Sequence, residues 1–224
     1  MFILVIVLAF GASFLVQTWL KRVYATWQVQ PNAIGATGSQ VARHILDINN
    51  LQKVRLEKTT GTLSDHYIPS QELIRLSEPV FDQPSVASLA IAAHEVGHAL
   101  QKSTQYYPLK LKAILMPLAA VASQGGMLMA IGGSILGIPF VSQLGTVMFI
   151  SAMGLQVLSL PIEFDASNRA LNQLQKHQLV NEQDVDGARS VLRAAALTYV
   201  ASAATSVAFI AVMAMQLLGR RRLG

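Results

Sequence analysis

The sequence predicts a mainly α integral membrane protein with about four transmembrane helices and a small α+β part outside the bilayer. Of its 224 residues, 52% are hydrophobic and only 13% are charged, a balance too apolar for an ordinary soluble domain. The charges are also segregated: residues 1–20 carry none, and residues 113–162 contain no Asp, Glu, Lys, Arg or His. Two polar stretches, 21–112 and 163–193, fall on one side when the apolar runs are threaded through a bilayer.

Residues 1–20, MFILVIVLAFGASFLVQTWL, are long enough to cross a membrane as a helix. No basic residue precedes the apolar run, and Lys21-Arg22 follow it without a small-residue cleavage site. The segment therefore reads as a retained anchor rather than a cleaved leader. Residues 113–162 are expected to form a transmembrane hairpin that turns at GGSILGIPF (132–140), where Gly and Pro cluster. Its glycines, including the spaced pair Gly133 and Gly137, suit close helix packing. Residues 194–219 form the last apolar run, ahead of a basic tail at 220–224.

In the first polar stretch, GSQVARHILDIN (38–49) spaces Val41, Ile45 and Ile48 as on a helix, with Ser39 as the expected cap. KVRLEK (53–58) and ELIRLS (72–77) alternate polar and apolar residues and read as short strands. LIRLS is a candidate edge along which an extended peptide could pair. TTGTLSDHYIPS (59–70) between them reads as a loop, and Ser85 caps a helix of about five turns, SVASLAIAAHEVGHALQ (85–101).

The net charge of +5 does not imply nucleic acid, because most basic residues flank the apolar runs. Nine Lys and Arg lie near the spans on the polar side (Lys21, Arg22, Lys102, Lys110, Lys112, Arg169, Lys176, Arg189, Arg193), against Arg220, Arg221 and Arg222 on the other. The positive-inside rule then places the polar segments in the cytoplasm of a multi-pass protein of the cell membrane. Tyr106 and Tyr107 precede the second span as interfacial anchors.

The chemistry concentrates in HEVGH. His94 and His98 leave the same helix face one turn apart and can share one ion, while Glu95 is rotated about 100° beside them. This is the H-E-x-x-H zinc arrangement, in which the Glu serves as general base. A catalytic zinc needs a third protein ligand. Glu163, directly after the third span, is the foremost candidate; Asp165 and His66 are the alternatives, and His177 and His44 are more distant. Asp165 also precedes Arg169 by four residues, the spacing of a helical ion pair. His66 and Tyr67 are candidate donors to an oxyanion.

GTLSDHY, AAHEVGHALQ, LPIEFDASNRA and AAALTYVA, in this order over nearly the whole chain, resemble the YugP-type neutral zinc metallopeptidases of bacterial membranes. A wider similarity is to HtpX-like membrane proteases. The resemblance implies a zincin-like cytoplasmic metalloprotease part, Zn2+ as cofactor, His94, His98 and Glu163 as ligands, and Glu95 as base. It also implies protein or peptide substrates associated with the membrane. One position departs from the HtpX-like pattern: four residues after the Glu ligand stands Ser167 instead of Asp, leaving Asp165 as the nearest acid to support the ligands. The alternative from another class is a non-catalytic membrane scaffold with a structural zinc, which a fourth ligand such as His66 would close. With no Cys in the chain, the usual thiolate ligands of such sites are missing.

Overall fold

A computed structural model describes the backbone of residues 2–220 and the side chains of residues 7–211. The basic tail expected at 220–224 therefore lies outside the residues whose side chains are described. The described residues divide into two compact units, one of residues 2–15, 107–161 and 199–220, the other of 16–106 and 162–198.

The first unit is helical. It contains α5 (Tyr107–Ile135) and α6 (Pro139–Gly154), joined by the expected turn. Gly126, Gly133 and Gly145 are packing positions, since a Cβ on any of them would meet the backbone of the facing helix. Gly137 has another role. Its φ of +67° makes it the left-handed residue of the turn, with nothing within 4 Å of an added Cβ, so Gly133 and Gly137 are not a packing pair. Leu128 and Phe140 point outward, as lipid-facing residues do. Among the described residues, three helical stretches are long and apolar enough to cross a membrane: Tyr107–Ile135, Pro139–Lys176 and Glu182–Ala211. The expected fourth, at 1–20, belongs to α1 (Phe2–Gln28), which begins among residues whose side chains are not described.

The second unit holds the polar segments around one core. Helix α2 (Gly38–Ile48) buries Val41, Ala42, Ile45 and Leu46. Its cap is Thr37, not Ser39: Thr37 and Gln40 bond each other's backbone N–H in a reciprocal box, while Ser39 donates to the Phe81 carbonyl. The strands are β1 (Arg55–Thr59), β2 (His66–Ile68) and β3 (Leu73–Ser77), in the order β1-β3-β2. β1 runs parallel to β3, and β2 antiparallel to it. β2 replaces part of the expected loop. Asp65 pins its start to the end of β3 by accepting from the backbone N–H and hydroxyl of Ser77. The LIRLS segment is the central strand, buried on both faces and paired on both sides, so it offers no edge to a peptide.

After α3 (Glu78–Asp82) comes α4 (Val86–Ser103), capped by Ser85 as its sequence predicts. Helix α4 is buried along almost its whole length, which is why its composition is so rich in Ala, Val and Leu. Two later helices complete the architecture: α7 (Ser159–Lys176) and α8 (Glu182–Arg220).

Candidate metal centre

The α4 sequence places His94 and His98 on one face, with ring centroids 4.8 Å apart. α7 brings Glu163 to the same point. Its Oε2 lies 3.3 Å from His94 Nε2 and 3.5 Å from His98 Nε2. Gly97 permits this convergence. A Cβ at residue 97 would collide with the Ala166 carbonyl, so the two backbones meet where HEVGH carries its glycine.

One donor atom from each of the three residues lies within 4.8 Å of the others. Tetrahedral zinc with ligand bonds of about 2.1 Å requires donors about 3.4 Å apart, which the two His–Glu separations match. Glu163 Oε2 is also fully buried and has no hydrogen-bond partner among the described residues. A buried, unsatisfied acceptor costs about 1–3 kcal/mol, more if charged, and a cation held by the three donors would remove that cost. Two neutral imidazoles and a carboxylate are the donors borderline-soft Zn2+ takes. The residues fit the ion.

Supporting contacts orient the imidazoles. Gln101, fully buried, directs its amide nitrogen at the Ile162 carbonyl (2.7 Å) and Asp165 Oδ2 (2.9 Å). Both of those only accept, so the amide oxygen must be the atom 3.0 Å from His98 Nδ1. His98 Nδ1 therefore donates, and Nε2 keeps its lone pair toward Glu163. Asp165 is held in turn by Arg169 at 2.6 Å. It is an ion-pair partner that acts on the centre through Gln101. Ser167 Oγ lies 3.2 Å from His94 Nδ1, so the residue at the departing position itself touches a candidate ligand. The role of Gln101 was open to sequence reasoning, since it follows His98 by three residues on the same helix face.

Glu95 is only 6% exposed. Burial pushes its carboxyl above the ordinary range, His94 and His98 pull it back, and Asp65 and Glu163 push it up again. For His98, burial lowers the imidazole, but the facing Glu163 and Glu95 and the Gln101 oxygen outweigh it, and the net shift is upward. His66 lies on β2 and is exposed, its Nδ1 donating to the Ser64 carbonyl at 2.7 Å. It is not among the three gathered donors. Tyr67, next to it, is pushed up to about 12 by burial and by Glu72, so its hydroxyl stays a donor at any physiological pH. His44 and His177 face each other elsewhere, with ring centroids 6.5 Å apart.

Residues 2–218 match the model of a family described as "Putative neutral zinc metallopeptidase". The chain is also 39% identical over 207 residues, 92% of each chain, to a Bacillus subtilis (strain 168) protein named "Putative membrane protease YugP". No solved structure matches it significantly.

Proposed function

Because the chain belongs to this zinc metallopeptidase family, we propose that it is a membrane-bound endopeptidase whose zinc is held by His94, His98 and Glu163. The observation that carries the reading is the meeting of these three donors beside a buried Glu95. A zinc ion there supplies Lewis-acid polarisation of a peptide carbonyl and lowers the pKa of water. Glu95 takes the proton of the attacking water and returns it to the leaving amine. Its raised pKa suits both transfers better than that of an exposed carboxylate. Gln101 and Ser167 hold the imidazoles, and His66 or Tyr67 on β2 stabilises the developing oxyanion.

A structural zinc is closed by four protein ligands. Among the described residues three donors gather here, and His66 is not a fourth, which favours the catalytic reading over a scaffold. Glu163 follows the charge-free run in sequence, and that run contains no carboxylate or imidazole. Together with the distribution of Lys and Arg, this supports cleavage at the cytoplasmic membrane surface rather than in the bilayer centre.

The test is Glu95→Gln. The variant should bind zinc as the wild type does and lose about 10²–10⁴-fold in peptide hydrolysis. Hydrolysis at the wild-type rate by the purified variant would refute the mechanism. For the location, a cleavable sequence is moved stepwise along a single-span reporter; cleavage mainly at mid-membrane positions would refute the surface assignment.

A further inference from the structure

Helix α7 carries Arg169 four residues after Asp165, an ion pair of the kind that contributes little on an open helix surface. This pair is neither open nor alone. The two side chains are only 27% and 29% exposed. Arg169 Nε donates to Asp165 Oδ2 at 2.6 Å, and the same oxygen accepts from the Gln101 amide at 2.9 Å. The guanidinium also reaches the end of the other ligand helix. Its Nη1 donates to Thr104 Oγ1 at 3.1 Å, and Thr104 is the C-cap of α4. That hydroxyl spends its own proton on the Leu100 carbonyl at 2.8 Å, so it is free to accept. Finally, the guanidinium carbon lies 5.6 Å from the centre of the Tyr106 ring, within cation–π range.

One charged side chain therefore ties together the two helices that supply the donors. Arg169 stands three hydrogen bonds from a candidate ligand: guanidinium to Asp165, Asp165 to Gln101, and Gln101 to His98 Nδ1 at 3.0 Å. Each link has one direction. Arginine only donates and a carboxylate only accepts, so the Gln101 nitrogen must face Asp165 and its oxygen His98. Two donors on one oxygen fix the orientation of Asp165; without Arg169, the Gln101 amide holds it alone. A lysine could replace the charge but not the planar fork that bonds Asp165 and Thr104 at once. The positive charge is also favourable at the C-terminal end of α4.

We propose that Arg169 is a positioning residue of the metal centre, holding Asp165 and the end of α4 so that Gln101 presents His98 Nε2 to the ion. The inference rests on the ligand set proposed above and adds a residue that acts on it without touching it.

The experiment uses the full-length protein in detergent. Wild type, Arg169→Gln, Arg169→Lys, Asp165→Asn, Gln101→Met, the double variant Arg169→Gln/Gln101→Met and Glu163→Ala are compared by zinc competition against a chelator. The visible spectrum of Co2+ in place of zinc reads ligand geometry, and thermal unfolding of the metal-free protein reads the fold. Arg169→Gln should weaken zinc binding about tenfold, the lower end of the loss for outer partners of a metal ligand, and should change the cobalt spectrum. Asp165→Asn breaks the same ion pair from the other side and should show the same loss, which keeps the question answerable if Arg169→Gln does not fold. Arg169→Lys should recover affinity to within about threefold of wild type, because it restores the charge beside Asp165. In the Gln101→Met background, Arg169→Gln should cost less than about twofold more, since the link it works through is already cut. A lower melting temperature with unchanged zinc affinity and cobalt spectrum would overturn the proposal, as a purely structural role predicts. So would a Lys variant as weak as the Gln variant, or a full additional loss in the Gln101→Met background. Wild type that binds zinc no better than Glu163→Ala would overturn the ligand set, and this proposal with it.

Discussion

Gln101→Met tests the claim that one buried amide decides which nitrogen of His98 faces the metal. The substitution keeps an unbranched side chain of similar length and good helix propensity, but removes the three polar contacts of Gln101, at 2.7, 2.9 and 3.0 Å. Asp165 keeps Arg169. His98 Nδ1 is left unpartnered, at about 1–3 kcal/mol for a buried group, whereas the Ile162 carbonyl, inside α7, keeps its place in the helical backbone ladder. His98 is then free to adopt the other tautomer, in which Nε2 carries the proton and cannot ligate. Losing an outer partner of a metal-bound His typically costs about 10–100-fold in affinity, or about 1.4–2.7 kcal/mol. The assay is competition for zinc against a chromophoric chelator in detergent, paired with thermal unfolding of the metal-free protein. Zinc affinity within twofold of wild type, in a variant that remains folded, would refute the tautomer argument. Lower stability with unchanged affinity would show that Gln101 only packs.

Other outcomes follow from the same geometry. Glu163→Ala should abolish tight zinc binding while leaving the apo fold intact, because it removes a buried acceptor that has no hydrogen-bond partner; a chelator titration reads this directly. Gly97→Ala should force α4 and α7 apart at the Ala166 carbonyl, with about 1–3 kcal/mol of overpacking and weaker zinc binding in isothermal titration. Gly145→Ala crowds the α5–α6 contact instead, so it should lower the unfolding temperature without changing zinc affinity. Removing zinc with a chelator should lower the unfolding temperature, since ligand at about 100 times its Kd stabilises by about 2.7 kcal/mol; an unchanged melting curve would argue against a preorganised site.

How much of this could be read in advance depends on how local the determinants are. The ligand helix was legible because its cap, apolar run and His spacing lie within one segment. Glu163 could be named from the charge-free run that precedes it. β2 was hidden because three residues between Gly61 and Pro69 are too few to show a period. The central place of β3 depends on a parallel partner, β1, and on β2, neither of which leaves a mark in LIRLS itself. The cap of α2 was misplaced by two residues because Thr37 and Ser39 both offer a hydroxyl, and only the reciprocal bond to Gln40 separates them. Ser167 looked like a gap in a pattern; its contact with His94 arises only when α7 docks on α4.

The split of the donor set along the chain also bears on when the protein can acquire activity. His94 and His98 are made early, whereas Glu163 emerges from the ribosome only after the whole of α5 and α6. Until residue 163 has been translated, a nascent chain carries two imidazoles and Glu95, the proposed base, but no carboxylate to complete the three-donor set. Synthesis order thus delays assembly of the centre until after the apolar hairpin has been made, and a chain truncated before α7 would be released without it.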